Sequence, residues 1–308
     1  MSIDIRENYE LKQHTTFKIG GCAAKVFFPT TPEDLIESIE EANNPIILGN
    51  CSNVLISSTG LQEDIIITSK INNYSFEKNI LKVNCGTKGP LLSKESLKEG
   101  LSGFEFMIGF PGTIGGMITM NASAHNQAIA DHFVKCHVYD RTNKKILVLT
   151  KKEMNFVYRN SIISQRDYVL LSATFELEYK DKEAINDLMQ RNIEFRTKRQ
   201  PSLKLPNTGS TFKNPPNDSA GRLLDIAGAK EFSVGGAKVW ENHANFIVNT
   251  DDATSNDVLN LMLKMYNIVK EKYTIELRPE VKFIGIRNAE EEEIWQTLIG
   301  KSTQKTQK

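Results

Sequence analysis

The spacing of hydrophobic and polar residues along the chain predicts a succession of short strands and helices. Apolar residues recur every three or four positions in the expected helices, which are residues 30–43, 90–99, 181–200, 220–228 and 254–273. Shorter runs rich in Val, Ile and Phe lie between them and are typical of strands. The strand-forming segments are residues 26–29, 45–57, 64–69, 80–85, 133–149, 169–177, 245–249 and 275–286.

Three of the predicted helices carry clear signals. Thr31 can cap the first helix, and Asp34 stands where a capping box places an acid. Gly100 is expected to end the helix over residues 90–99. The helix at residues 254–273 has the clearest apolar spacing in the chain. Its buried face is expected to contain Val258, Leu261, Met262, Met265, Ile268 and Val269.

Strands and helices mixed along the whole chain predict an α+β fold with two or more layers. A length of 308 residues corresponds to about two domains, or three small ones. A loop rich in Pro, Asn, Gly and Ser at residues 201–219 is a predicted domain boundary. The segment from residue 288 onward is polar, and we expect it to be peripheral.

Composition and charge argue against several classes of function. The 38 basic and 38 acidic side chains cancel, which gives no support to a nucleic-acid or acidic-membrane surface. The four cysteines include no CxxC pair and the five histidines show no paired spacing, so neither a disulfide framework nor a metal site is expected. The first residues are charged and contain no apolar signal segment, so we expect a cytoplasmic protein.

The stretch GFPGTIGGMITMNAS, residues 109–123, combines four glycines and a proline with an uncharged apolar run. Three interpretations compete: a membrane segment, a buried turn, or a loop whose bare N–H groups approach a phosphate. The Gly, Pro and Asn residues argue against a membrane span, which needs about 20 mainly apolar residues. A second loop of small residues, LGNCSNVLIS at residues 48–57, favours the phosphate interpretation, because one dinucleotide needs two such backbone contacts.

Three polar residues are candidates for chemistry, and each has a purely structural alternative. Ser210, in NTGSTFKNP, can give or take a proton if a charged neighbour assists, or it can cap a turn. Arg159, in VYRNSI, can clamp a carboxylate of a ligand or pair with an acid of the protein. Glu280, in RPEVKFIG, falls inside an apolar strand and needs a partner if it points inward, or it belongs to an exposed charged face.

An ordered set of motifs along the chain resembles one family of flavoenzymes. The motifs are HTTFKIGG (14–21), LGNCSNVL (48–55), GFEFMIGFPGTIGGMITMNA (103–122), YRNSI (158–162), GSTFKNP (209–215), GGAKVWENHANFIVN (235–249) and PEVKFIG (279–285). The set resembles the UDP-N-acetylenolpyruvoylglucosamine reductases, also called UDP-N-acetylmuramate dehydrogenases, of bacterial cell-wall precursor synthesis. The resemblance covers residues 10–286, and the short connection after YRNSI is similar to the family's shorter type.

The resemblance implies an FAD-binding fold of the vanillyl-alcohol-oxidase type. Two α+β subdomains, expected at residues 1–70 and 71–198, would hold FAD. A third α+β domain at residues 199–287 would bind the substrate, followed by a peripheral tail at residues 288–308. Backbone amides at Gly109, Gly112, Gly115 and Gly116 would reach the FAD diphosphate. The residues expected to bind FAD are Gly49, Asn50, Cys51, Ser52, Asn53, Val54, Leu55, Pro111, Gly112, Thr113, Ile114, Gly115, Gly116, Asn121 and Ala122.

The family's reaction implies roles for the three polar candidates. NADPH would reduce FAD, and the reduced flavin would deliver a hydride to the methylene carbon of an enolpyruvyl ether, converting UDP-N-acetylglucosamine enolpyruvate to UDP-N-acetylmuramate. Arg159 and Glu280 would stabilise the charge that develops at the substrate carboxylate, and Ser210 would protonate the other carbon. Asn214, Lys198 and Arg199 are expected to bind the diphosphate or sugar of the substrate. No metal, nucleic acid, membrane or obligate protein partner is implied.

Two positions depart from the family pattern. Cys51 stands where glycine is usual, which places a side chain where backbone should approach FAD, and His125 stands where tyrosine is common. A covalent link between flavin and either residue is an alternative, although this family holds FAD without one. Two other functions stay open: a flavin oxidase of the same fold acting on another alcohol or sugar, and a non-catalytic flavin-binding module.

Overall fold

The computed structural model of the chain describes residues 3–300 and mixes α-helices with β-strands, as the sequence pattern predicts. The helices are α1 (Pro32–Glu41), α2 (Gly89–Glu99), α3 (Ile114–Thr119), α4 (Lys182–Arg199), α5 (Ala220–Ala227), α6 (Ser255–Tyr273) and α7 (Ala289–Ile299). Short turns of 3-10 helix are Leu11–Gln13, Thr68–Lys70, Glu105–Gly109, Ile162–Ser164 and Ala229–Glu231. The strands are β1 (Asp4–Glu10), β2 (Cys22–Phe28), β3 (Ile46–Leu48), β4 (Val54–Ile56), β5 (Ile65–Ile67), β6 (Tyr74–Glu77), β7 (Ile80–Asn84), β8 (Leu101–Ser102), β9 (Ser123–Ala124), β10 (Gln127–Ala128), β11 (Phe133–Asp140), β12 (Lys145–Thr150), β13 (Tyr168–Glu176), β14 (Glu178–Tyr179), β15 (Asn207–Ser210), β16 (Ser233–Val234), β17 (Ala237–Val239), β18 (Phe246–Asn249) and β19 (Lys282–Ile284).

The chain forms two compact units, and each is built from segments that are distant in sequence. Unit 1 contains the described residues up to Arg6 together with Lys25–Asn50 and Asp64–Arg196. Unit 2 contains Glu7–Ala24, Cys51–Glu63 and the described residues from Thr197 onward. Two early segments therefore pack with the C-terminal part of the chain, whereas the expected subdomains are continuous in sequence. The finer limits at residues 70, 198 and 287 stay a prediction.

Unit 1 contains a parallel and an antiparallel set of strands. β5 pairs in parallel with β2 and with β3, inside a sheet of order β1-β2-β5-β3. The larger sheet has the order β12-β11-β13-β7-β6 and is antiparallel. Its central strand β13 buries Val169, Leu171, Ala173 and Phe175, whose spacing of two places them on one face. Residues of both sheets contribute to one hydrophobic core.

Helix α1 begins as the sequence predicts. The side-chain oxygen of Thr31 accepts the Asp34 N–H at 3.0 Å, and the Asp34 carboxylate accepts the Thr31 N–H at 3.1 Å, which completes the capping box. Leu35 and Ile39 face the core of unit 1. The end of α2 is also confirmed, since Gly100 has a φ of 69°, a left-handed conformation that suits glycine.

The uncharged stretch at residues 106–124 forms no long helix. A turn of 3-10 helix leads into the six-residue helix α3, and β9 follows. Ile114, Met117 and Ile118 of α3 are buried in the core of unit 1. Over residues 3–300, we find no helix with the length and apolar character that crossing a membrane requires.

Unit 2 contains an antiparallel sheet of order β15-β18-β17-β16 and the helices α5, α6 and α7. Helix α6 contacts β16, β17 and both other helices. Its predicted apolar face is confirmed, with Ile268 partly buried and the other expected residues buried. Thr254 and Asp257 form its capping box. The closing strand is shorter than expected, because only Lys282–Ile284 pairs in parallel with β4.

The expectation of a peripheral tail is wrong for residues 289–299. Helix α7 buries Ile294, Trp295 and Leu298 in the core of unit 2. The side chain of Asn288 accepts the Glu291 N–H at 2.9 Å and caps the helix. In the sequence, a run of four glutamates makes this segment polar overall and obscures its apolar spacing. The glutamates suit the start of the helix, because acidic side chains are favourable in the first turn. Residues 301–308 lie outside the described residues.

Candidate active site

The two glycine-containing loops expected to bind FAD contact each other in unit 1. A Cβ atom on Gly49 would lie 2.2 Å from Thr113 Oγ1, so the missing side chain permits this close approach. Asn50 Nδ2 donates a hydrogen bond to the carbonyl oxygen of Pro111, which is 61 positions away in sequence. Residues 49–50 and 111–113 therefore lie side by side.

The first turn of α3 is attached to the chain that follows β7. The Ile114 N–H donates to the Thr87 carbonyl at 2.9 Å, and the Gly115 N–H donates to the Cys85 carbonyl at 2.7 Å. A Cβ atom on Gly115 would lie 3.1 Å from that Cys85 oxygen, which is tighter than ordinary contact. Gly115 therefore permits close packing, and its amide is already bonded, contrary to the expectation that this amide reaches a diphosphate.

Three other amides of this loop, those of Gly112, Thr113 and Gly116, have no hydrogen-bond acceptor within residues 3–300. Gly116 is exposed, and a Cβ atom there would meet only Thr113 Oγ1, at 3.9 Å. The buried hydroxyl of Thr87 also lacks a partner in the described part of the chain. Neighbouring N–H groups without acceptors are suited to phosphate oxygens. The residues present therefore fit a diphosphate such as that of FAD.

Cys51, at the position where the family pattern has glycine, adopts a left-handed backbone with a φ of 49°. The residue is buried, so the fold accommodates the cysteine side chain. Thr16 Oγ1 lies 2.8 Å from the Asn207 carbonyl and 3.3 Å from the Cys51 carbonyl, and it links this loop to β15. Burial raises the pKa of the Cys51 thiol to about 12, so the reactive thiolate is scarce at neutral pH. This argues against a covalent flavin link through Cys51.

Ser210 and Glu280 lie on neighbouring segments of unit 2 although they are far apart in sequence. Ser210 ends β15, where it is paired with Phe246 of β18. The next residue, Thr211, accepts the Glu280 N–H through its carbonyl oxygen at 2.9 Å. Asn53 Nδ2 donates to the Glu280 carbonyl at 3.1 Å. The fold of unit 2 therefore places the backbone segments of two of the three residues predicted to be catalytic next to each other, and both residues are partly buried.

Arg159 belongs to unit 1 and is partly buried. Its Nη1 donates to Ser123 Oγ at 2.9 Å, and its guanidinium carbon lies 5.0 Å from the centre of the Tyr158 ring. Asn121, predicted to contact FAD, donates its side-chain N–H to the Val157 carbonyl at 3.1 Å. The amide group of Asn121 therefore holds the turn that carries Arg159.

The residues predicted to bind substrate are exposed in the structure. The side-chain oxygen of Asn214 accepts the first N–H of α5 at 3.1 Å, so this residue also holds the start of that helix. Lys198 and Arg199 lie at the end of α4, and their contacts with substrate stay a prediction. His125 is exposed, and its ring packs edge-on against Phe195 with the ring centres 5.2 Å apart.

Buried asparagines that hold the active-site segments were missed by sequence reasoning. Asn245 accepts the Phe212 N–H at 2.9 Å and donates to the Phe212 carbonyl at 2.8 Å, which fixes the segment just after Ser210. Asn249 Nδ2 donates to the Phe17 carbonyl at 3.1 Å. The two asparagines stand on either side of the apolar run FIV. This placement could have identified them, because an amide beside a buried strand is itself buried and needs hydrogen-bond partners.

Two known domain patterns match the chain. The FAD binding domain matches residues 23–149, which include both glycine-containing loops. The C-terminal domain of UDP-N-acetylenolpyruvoylglucosamine reductase matches residues 200–284, which include Ser210 and Glu280.

Relatives match over nearly the whole chain. UDP-N-acetylenolpyruvoylglucosamine reductase of Caldicellulosiruptor bescii is 41% identical over 290 residues, covering 92% of this chain and 91% of the relative. That of Caldanaerobacter subterraneus subsp. tengcongensis is 40% identical over 282 residues, covering 90% and 93%. The crystal structure of the reductase from Thermus caldophilus matches with a TM-score of 0.79 at 31% identity, covering 92% of this chain and 99% of that one. The predicted resemblance and fold class are thereby confirmed, and the chain belongs to the UDP-N-acetylenolpyruvoylglucosamine reductases, a family of FAD-dependent oxidoreductases.

Proposed function

We propose that this chain uses NADPH and FAD to reduce UDP-N-acetylglucosamine enolpyruvate to UDP-N-acetylmuramate, a step of peptidoglycan precursor synthesis. Family membership, with a match over 92% of the chain, and the FAD binding domain support the proposal. One observation carries it: the Thr211 carbonyl accepts the Glu280 N–H and keeps Ser210 and Glu280 on adjacent backbone segments. Residues on two segments joined in this way can serve one site, with the serine as the proton donor and the glutamate as a second acidic group.

In this proposal the backbone of residues 49–55 and 111–116 holds FAD. The amides of Gly112, Thr113 and Gly116, which lack an acceptor within residues 3–300, donate to the diphosphate. The chemistry that FAD supplies when bound is the transfer of a hydride from NADPH to the methylene carbon of the enolpyruvyl ether. The chain itself supplies the proton, the charge stabilisation and the positioning of the substrate.

Ser210 is the proposed proton donor. Addition of a hydride to the methylene carbon leaves negative charge on the adjacent carbon and its carboxylate, and the product requires one proton. The Ser210 hydroxyl gives its proton to that adjacent carbon, which is basic enough to take it from a weak acid. The serine oxygen regains a proton from water before the next turnover.

Arg159 and Glu280 are proposed to stabilise the same developing charge. The guanidinium of Arg159 can hold a carboxylate through two parallel N–H bonds. Glu280 stabilises the charge only in its protonated form, because only then does it donate a hydrogen bond. Lys198, Arg199 and Asn214 are proposed to bind the diphosphate or sugar, since two cations and an amide suit those groups.

The proposal is tested with Ser210→Ala in the purified, FAD-loaded enzyme. NADPH is expected to reduce the flavin at the wild-type rate, because Ser210 has no part in that step. Reoxidation by UDP-N-acetylglucosamine enolpyruvate is expected to slow by at least about 100-fold, the usual contribution of a general acid. Stopped-flow absorbance of the flavin separates the two half-reactions. Ser202→Ala, which changes an exposed loop serine, is the matched control and leaves both rates unchanged.

Unchanged reoxidation in Ser210→Ala would show that the proton role is wrong. A flavin that turns over with O₂ and another alcohol or sugar would identify an oxidase. A protein that binds FAD but oxidises no NADPH after addition of the enolpyruvyl nucleotide sugar would be a binding module. We also propose a cytoplasmic location, in keeping with the water-soluble nucleotides that the reaction uses.

A further inference from the structure

The turn that carries Arg159 is closed tightly on itself. Val157 and Asn160 exchange two backbone hydrogen bonds, each 3.1 Å long, so Tyr158 and Arg159 form the tip of the turn. Arg159 has a φ of 55°, a left-handed conformation that glycine adopts with much less strain. A non-glycine residue keeps this conformation only where surrounding contacts hold it.

Side-chain hydrogen bonds join this turn to residues 119–123, which comprise the last residue of α3 and the segment that follows it. Asn121 Nδ2 donates to the Val157 carbonyl at 3.1 Å. Ser161 Oγ, which is fully buried, donates to the Thr119 carbonyl at 2.9 Å. The backbone of the turn is therefore bound to the same stretch of chain that begins with the proposed FAD loop.

Ser123 contacts the guanidinium itself, since Arg159 Nη1 donates to Ser123 Oγ at 2.9 Å. A guanidinium carries its N–H donors in a rigid planar fork, so one bond restricts the directions of the others. A long side chain loses rotamer freedom when it binds a ligand, and a bond that already orients it reduces that loss. The Ser123 hydroxyl is therefore placed to orient Arg159 before the substrate arrives.

The hairpin that carries Ser123 is itself restrained. β9 and β10 pair in antiparallel fashion, with Ser123 opposite Ala128. The neighbouring Gln127 Nε2 donates to Glu105 Oε2 at 3.4 Å. Glu105 is buried and also accepts a hydrogen bond from Ser102 Oγ at 2.5 Å. This network limits the movement of the hairpin and hence of the Ser123 oxygen.

We propose that Ser123 is a positioning residue, which acts through its hydrogen bond to Arg159 and aims that guanidinium at the carboxylate of the substrate. The inference rests on the proposed function, because it requires that Arg159 stabilises charge on that carboxylate. Ser123 itself contacts no reacting atom in this proposal. Replacing Ser123 should therefore slow the reaction only through its effect on the position of Arg159.

A double-mutant cycle in the FAD-loaded enzyme tests this inference. Ser123→Ala is expected to slow flavin reoxidation by UDP-N-acetylglucosamine enolpyruvate by about 10-fold, the scale of one hydrogen bond to a charged group. The effect is expected in kcat more than in KM. Reduction of the flavin by NADPH and the flavin absorption spectrum are expected to stay as in the wild type. Ser123→Thr, which keeps the hydroxyl, restores most of the rate.

The Arg159→Ala background distinguishes a role of Ser123 that acts through Arg159 from a role that is independent of Arg159. If Ser123 acts through Arg159, adding Ser123→Ala to Arg159→Ala slows reoxidation by no more than about twofold. If Ser123→Ala slows reoxidation equally in the wild-type and Arg159→Ala backgrounds, the positioning role is wrong. It is also wrong if neither Ser123→Ala nor Ser123→Gly slows reoxidation. Either result leaves the proposed function intact. A normal rate in Arg159→Ala alone would instead show that the proposed role of Arg159 is wrong.

Discussion

Replacing Gly116 by alanine should separate the stability of the protein from its affinity for FAD. A Cβ atom at this position would meet only Thr113 Oγ1, at 3.9 Å, so the added methyl group has room in the protein. Gly116 also lies inside α3, where alanine loses less conformational freedom on folding than glycine does. We therefore expect the FAD-free variant to be as stable as the wild type, or more stable by up to about 1 kcal/mol.

The affinity for FAD should change in the opposite direction. The Gly116 amide lacks an acceptor within residues 3–300, and the proposed function assigns it to the FAD diphosphate. A methyl group on the same residue would crowd the phosphate oxygen that this amide binds. One hydrogen bond to a charged group is worth about 1.5–3 kcal/mol. Its loss corresponds to a rise in Kd of about 10- to 100-fold.

Titration of the FAD-free protein with FAD, followed by flavin fluorescence, measures the Kd. Urea unfolding with and without FAD measures the free energy of unfolding. Gly115→Ala is the contrasting variant, because its Cβ atom would lie 3.1 Å from the Cys85 oxygen and should destabilise even the FAD-free protein, by about 1 kcal/mol. Wild-type affinity in Gly116→Ala would show that this amide does not contact FAD. Destabilised FAD-free Gly116→Ala would show that the packing argument is wrong.

Three further predictions concern the fold. Thr31→Ala breaks the capping box of α1 and should lower the free energy of unfolding in urea by about 0.5–2 kcal/mol. Hydrogen bonds from Thr30 and Thr31 hold the pKa of Asp34 below its ordinary value, so their stabilisation is present above that ordinary pKa and is lost as the pH falls through the lower pKa of the folded state. The stability difference between the wild type and Asp34→Asn should therefore shrink in acid, and a constant difference would contradict the assignment. Trp295→Ala removes a ring from the core of unit 2 and should lower the free energy of unfolding by about 3–5 kcal/mol; a loss below about 1 kcal/mol would mean that α7 packs weakly.

The helices with strong local signals could be predicted because their determinants lie within a few residues of one another. Thr31 and Asp34 cap α1 from three positions apart, and the apolar face of α6 repeats at helical spacing. Helix α7 could not be predicted in the same way. Its glutamates dominate the local composition, and only the core of unit 2 shows that Ile294, Trp295 and Leu298 form a buried face.

The sequence predicted which residue types the candidate site contains and their order along the chain. It did not predict the contacts between them. The motifs identified the serine and glutamate segments, but the bond between Thr211 and Glu280 joins positions that no local pattern relates. Gly115 illustrates the same limit, because a glycine-rich loop does not indicate which amides are already bonded. Ser123 was not singled out at all, since a small polar residue after an apolar run has no distinctive signal.

The amino-acid sequence alone determined the family, the caps and apolar faces of the best-marked helices, and the chemical groups available for the reaction. The tertiary structure decided which loop amides lack an acceptor within residues 3–300, which side chains hold the Arg159 turn, and that residues 289–299 supply part of a core. The reason is physical. Caps and helix faces depend on neighbours three or four residues away, whereas hydrogen bonds between loops depend on distances that only the folded backbone sets.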